Sequence, residues 1–196
     1  MRRALLIAIL LLVLSAGAAH PAPPRPRPYS GCGVLALKPY AGADRVSVSL
    51  YEEPGVLRIS ELDGSTLPRL SGSGPEPVVA VSARKGVWTR LAYDDAGREG
   101  WVEQARAWEY LTWQEFLPDR LVRILPGMKK GLYSLRSEPR EGGAERGTLA
   151  RDQAVRILQV EDDWARLQTP SGWFRWRDGD GRLTVSLQDP AGVEKR

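Results

Sequence analysis

Bond-making chemistry needs several reactive side chains at one point, and this chain of 196 residues has one cysteine, Cys32, and one histidine, His20. Metal centres built from several Cys and His side chains are therefore excluded by counting, and no histidine after residue 33 is available to a triad in the predicted strands. His20, freed as a new N-terminus, would resemble the start of a copper-chelating site, but no second histidine exists to complete it. The adjacent acids Asp94-Asp95 and Asp162-Asp163 suggest acid–base work; both fall in predicted turns, where aspartate bonds its own backbone. Asp178-Gly179-Asp180-Gly181 opens like a calcium loop, yet Arg182 and Leu183 stand where an oxygen ligand and a glycine are required. Ser71-Gly72-Ser73-Gly74 lacks the spacing of a nucleophile elbow and runs into Pro75, so it reads as a flexible loop. A single thiol forms no internal disulfide, so Cys32 is free, buried or paired with another chain. No metal or cofactor is implied. What remains is seven tryptophans, side chains suited to holding a ligand rather than breaking one.

The proportions, 42% hydrophobic and 27% charged, exclude a disordered polyelectrolyte and leave a small globular protein. Residues 1–19 read as a secretory signal peptide: Arg2 and Arg3, an apolar run from Ala4 to Leu14, then Ser15-Ala16-Gly17-Ala18-Ala19 for cleavage. That run is too short to span a bilayer, and no second one follows, so no membrane span is expected after processing. A lipid anchor is disfavoured, because Ala18 stands where the lipidated cysteine of a Leu14-Ser15-Ala16-Gly17 box would lie. Cleavage leaves 26 basic against 24 acidic side chains without a block of like charge. Arg120, Arg123, Lys129 and Lys130 form a loose cluster that reads as a solvated face, and export argues against a nucleic-acid partner.

The elements that must position the rings are short strands. Val46–Leu50 alternates with period two, and Pro77–Val81 and Ala154–Ile157 are β-branched and bounded by turn residues. Residues 20–32, with prolines at 21, 23, 24, 26 and 28, read as an extended tether whose PxxP spacings could also be read by a proline-binding domain. Trp108 to Leu117 is the one stretch able to hold a helical turn, stopped by Pro118. The deciding feature is a repeat. Val79 precedes Trp88 by the same interval as Val155 precedes Trp164, and Trp88-Thr89-Arg90-Leu91 matches Trp164-Ala165-Arg166-Leu167. Hairpins ending in Gly100-Trp101-Val102 and Gly172-Trp173-Phe174 follow; aligned onward without gaps, they bring Leu111-Thr112 over Leu183-Thr184. Upstream, Leu50-Tyr51 and Pro54 correspond to Leu132-Tyr133 and Pro139. The expected units are 33–117 and 118–189, joined at Pro118-Asp119-Arg120, with a polar tail at 190–196.

A leading Leu-Tyr and Pro, then Trp-x-Arg-Leu, a short hairpin, Gly-Trp and an aliphatic last strand resemble the bacterial SH3 domain. The second copy, Leu132 to Leu187, is the better match; the first inserts about nine residues around Gly64 to Pro77. The resemblance implies an all-β fold of two tandem SH3-like small β-barrels. It also implies peptide or peptidoglycan binding along an aromatic groove near Tyr51 and Tyr133.

Strand alternation adds residues to that groove. With Thr89 and Leu91, Ala165 and Leu167, Val102 and Phe174 inward, the outer face receives Trp88, Arg90 and Trp101 in one half and Trp164, Arg166 and Trp173 in the other. Those rings either form a ligand platform or pack the two halves together. The reading that follows is an exported, non-catalytic binding or adaptor protein of the cell envelope, periplasmic or secreted, with peptidoglycan or an envelope protein or peptide as partner. The alternatives are a small cell-wall hydrolase working with carboxylates alone, for instance Glu52 or Glu53, or its accessory subunit, and a purely structural envelope component.

Overall fold

Short, β-branched runs separated by glycine and aspartate turns cannot sustain long helices, and the regular structure of the described residues is mostly antiparallel strand. The computed structural model describes residues 27–40, 42–70 and 76–187. The signal peptide, residues 20–26 of the tether, the Ser71–Gly74 loop and the polar tail lie outside the described residues.

The first half contributes β1 (Gly33–Ala36), β2 (Ser47–Tyr51), β3 (Arg58–Asp63), β4 (Val78–Val81), β5 (Ala83–Lys85), β6 (Trp88–Ala92), β7 (Glu99–Glu103) and β8 (Glu109–Leu111). They form a five-stranded sheet, β3-β2-β7-β6-β5, and a three-stranded one, β4-β1-β8. Helix α1 (Trp113–Phe116) lies within the stretch expected to hold a helical turn, and the Thr112–Glu115 capping box starts it. The second half contributes β9 (Leu121–Ile124), β10 (Ser134–Arg136), β11 (Glu145–Thr148), β12 (Ala154–Glu161), β13 (Trp164–Leu167), β14 (Gly172–Arg175) and β15 (Val185–Leu187) in one sheet, β11-β10-β14-β13-β12-β9-β15.

The pairing repeats. Strand β12 pairs with β9 at its start and β13 at its end, the roles that β4 and β5 divide in the first half. The chain is all-β, as expected, and the inward residues Thr89, Leu91, Val102, Ala165, Leu167 and Phe174 are all buried. Two details of the repeat alignment change. Tyr51 pairs with Trp101, and its counterpart opposite Trp173 is Arg136 rather than Tyr133. Leu50-Tyr51 and Pro54 thus align with Leu135-Arg136 and Pro139, the register that keeps the leucine inward and the proline in step. The ends do not align without gaps either. Strand β15 begins four residues later after Gly172 than β8 does after Gly100, because the loop from Arg177 to Gly181 is inserted.

One core lies in the first half, around Leu35, Val48, Leu50, Leu91, Val102 and Trp108. The other is shared. Phe174, Trp176, Ile157 and Leu183 of the second half pack with Val34, Trp113, Phe116 and Leu117, all from before Pro118. The expected boundary at Pro118 therefore divides a core. The rings joining the halves are Trp113 and Trp176, 5.0 Å apart and tilted by 38°. Trp113 donates its indole N–H to the Ser30 carbonyl (2.9 Å), and Trp176 donates to Asp162 (2.9 Å).

Residues 27–32, expected in a tether, are docked instead. Arg27 pairs with Asp178 at 2.5 Å, Ser30 N–H donates to Gly181, and Leu183 N–H donates to Pro28. Arg182 lies 4.1 Å over the Tyr29 ring and hydrogen-bonds the Tyr29 hydroxyl. The chain then crosses β4 at Gly31 (φ +60°), where a Cβ would stand 2.1 Å from the Val81 carbonyl oxygen, so only glycine passes.

Candidate functional site

The first half gathers all four of its expected residues on one face. Tyr51 on β2 faces Trp101 on β7, and Trp101 faces Arg90 on β6, so the three form a continuous row across adjacent strands. Trp88, two residues from Arg90, shares the face and meets Tyr51 edge to face with ring centroids 5.0 Å apart and planes at 84°. The three rings are half-buried. Arg90 is exposed and pairs with Glu99 at 3.2 Å, an ion pair that fixes the guanidinium beside Trp101 but contributes little stability in water.

The hairpin joining β2 to β3 extends this face. Gly55 sits close over Trp88, with a Cβ position 3.7 Å from its ring. Beyond it Val56 and Leu57 are 79% and 56% exposed, Ile59 is 50% exposed, and Val87, beside Trp88 on the next turn, is 56% exposed. Four uncovered aliphatic side chains thus fall on the hairpins that adjoin Tyr51 and Trp88 in the chain, a concentration of exposed apolar groups. Sequence reasoning named the rings and missed these aliphatics. Their signal was the pair Val56-Leu57 placed after Gly55, where a solvated hairpin tip would carry polar residues.

The second half does not reproduce the platform. Trp164, expected outward and exposed, is only 8% exposed. Its side chain does lie on the outer side of the strand, but the Arg175 guanidinium sits 5.3 Å from its ring and is itself pinned by Glu141 at 2.9 Å. A cation–π lid held by a carboxylate replaces open ring surface. Tyr133 is also buried. Its hydroxyl donates to the Leu125 carbonyl and accepts from the Met128 N–H, both at 3.1 Å, which makes it a staple for its own loop. Trp173 is half-buried and Arg166 exposed; they form the row Arg136–Trp173–Arg166, so arginine stands where the first half has Tyr51. The matching hairpin is polar, with Arg140 paired to Glu138 at 2.7 Å.

The turn aspartates behave as turn residues. Asp94 accepts from the backbone N–H of Arg98, and this bond, with the Arg98 side chain, holds its carboxyl below the usual carboxylate range. Asp162 adopts φ +48° at the β12–β13 turn, and Asp163 pairs with Arg177 at 2.5 Å. Asp178 accepts from the N–H groups of Asp180 and Arg182 and from Arg27, holding its own loop together. Among the described residues no three metal-ligating side chains converge. Cys32 is free and exposed, with its sulfur 3.3 Å from the Val81 carbonyl. No helix of the described residues is long and apolar enough to cross a membrane.

No family model matches the chain, and no curated protein matches it. Among solved structures it is similar to NlpC1 from Trichomonas vaginalis, with 13% identity and a TM-score of 0.33, covering 84% of this chain. The chain spans about half of that protein, 54% of its length. It is similar also to the endolysin LysPBC5 CBD, with 13% identity and a TM-score of 0.27, covering 82% of this chain and 98% of that one. Superpositions at this level leave the functional reading to the chain's own residues.

Proposed function

We propose that the protein is an exported, non-catalytic binding module of the cell envelope, built from two SH3-like barrels, whose first half carries the binding surface. The observation that supports it is the uncovered row of Tyr51, Trp101 and Arg90 with Trp88 and the bare aliphatic hairpin tip beside it. Half-buried rings held rigid by a sheet lose little entropy when a ligand covers them, and an adjacent guanidinium adds a directional donor. Such a surface suits a peptide or a peptidoglycan strand, both of which offer apolar edges interleaved with carbonyls. The second half acts as a scaffold through the shared core.

The test is sedimentation of the mature protein with isolated cell-wall sacculi. Trp88→Ala should abolish most co-sedimentation while the protein stays folded. Equal co-sedimentation of wild type and Trp88→Ala, or none by wild type, would sink the reading. The hydrolase alternative predicts release of soluble fragments from the same sacculi, abolished by Glu52→Gln or Glu53→Gln.

A further inference from the structure

The repeat places a shallow concavity at the same position in each half, between the loop after the half's first strand and the far end of its third. In the first half it measures about 370 Å³ and carries Asp44, Arg45, Asp63 and Arg69. Two carboxylates there balance two guanidinium groups: Arg45 lies 3.9 Å from Asp63, and Arg69 donates to the Ser65 carbonyl. The bond from Ser65, and then the fields of Arg45 and Arg69, hold the Asp63 carboxyl below its usual range, so the charge balance persists across ordinary pH.

In the second half the same concavity measures about 410 Å³, and its charge is not balanced. Lys130 and Arg151 flank it, and no carboxylate lines it. Among the described residues, neither cationic side chain has an ion-pair or hydrogen-bond partner. The floor is apolar, formed by Leu149 and the Tyr133 ring with Met128 at the side, and the unpartnered Thr148 hydroxyl lies at the rim. The volume is within the range of small-ligand sites, roughly 300–1,000 Å³. Two unpaired cations over an apolar floor favour a ligand whose anionic group sits at one end of a short apolar stem, because each part is then matched separately. Lys130 belongs to the basic cluster that the sequence alone presents as a solvated face.

We propose that this second-half concavity binds a small ligand bearing a terminal phosphate or carboxylate on a short apolar group, while its first-half counterpart, neutralised by Asp44 and Asp63, does not. The site is separate from the Tyr51–Trp88–Trp101 face, so either can fail alone.

The experiment uses the mature protein and two charged probes, phenyl phosphate and 3-phenylpropanoate, with neutral 3-phenylpropanamide as control, followed by amide and methyl resonances. The charged probes should shift Met128, Thr148 and Leu149 saturably, leave Val46 and Ser65 still, and outperform the amide. The tighter of the two charged probes identifies the anionic class. Replacing Lys130→Gln and Arg151→Gln together should weaken binding on the order of tenfold, because two solvated charge contacts are lost. Both side chains are exposed, so folding should be retained. The proposal is overturned if neither charged probe saturates, if the amide binds equally, if both concavities respond alike, or if the double variant binds as wild type does.

Discussion

Trp88 and Trp164 occupy equivalent positions and should respond oppositely to truncation. Trp164, packed under Arg175 at 8% exposure, should cost about 3 kcal/mol or more when replaced by alanine, as core aromatics do. Trp88→Ala should cost nearer 1 kcal/mol, since its ring is only partly buried. Chemical denaturation of the two variants checks the contrast. Strand alternation reads correctly which side of the strand each ring occupies, because that depends on backbone period alone. It cannot read exposure, because Trp164 is covered by Arg175 and Glu141 from other elements. Thr89 gives a second prediction: its hydroxyl is fully buried and meets no partner among the described residues, so Thr89→Val should raise stability by about 1 kcal/mol in the same denaturation series.

At the scale of elements, the docked stretch before β1 depends on one carboxylate. Burial raises the Asp178 pKa, but the N–H of Arg182, the Arg27 guanidinium and the N–H of Asp180 outweigh it and hold the carboxyl below its usual value. A depressed folded pKa means the contribution is present above the unfolded value near 3.9 and is lost as pH falls through the folded one. Melting temperatures measured from about pH 6 down to pH 2.5 should therefore fall less steeply for Asp178→Asn than for wild type, with the two curves converging at the acid end. Parallel curves would show that Asp178 does not fasten this segment. None of this docking is legible in the sequence. Five prolines between residues 21 and 28 describe local stiffness, whereas the partners of Arg27 and Ser30 lie some 150 residues away. The same limit shifted the repeat: Leu132-Tyr133 copies the letters of Leu50-Tyr51, but pairing with β14 picks Leu135-Arg136.

For the whole molecule, the shared core sets the unit of folding. Val34, Trp113, Phe116 and Leu117 are four of the nineteen buried residues of that core and come from before Pro118. A fragment of residues 119–196 should thus lack a cooperative thermal transition, while the mature chain melts in one step. Adding residues 112–118 to the fragment should restore part of the cooperativity by returning α1. A sharp, independent transition in the 119–196 fragment would show that the shared contacts are dispensable.

The docking of residues 27–30 onto the Asp178–Leu183 loop also decides which half holds the start of the described chain. Arg27, Pro28 and Ser30 are fastened to the half that lacks the ring platform, although in sequence they stand directly before the first strand of the half that carries it. The loop from Arg177 to Gly181, an insertion relative to the first half, thus serves as the clasp for a segment some 150 residues away in sequence, so the two halves hold each other by a crossing of the chain as well as by a common core.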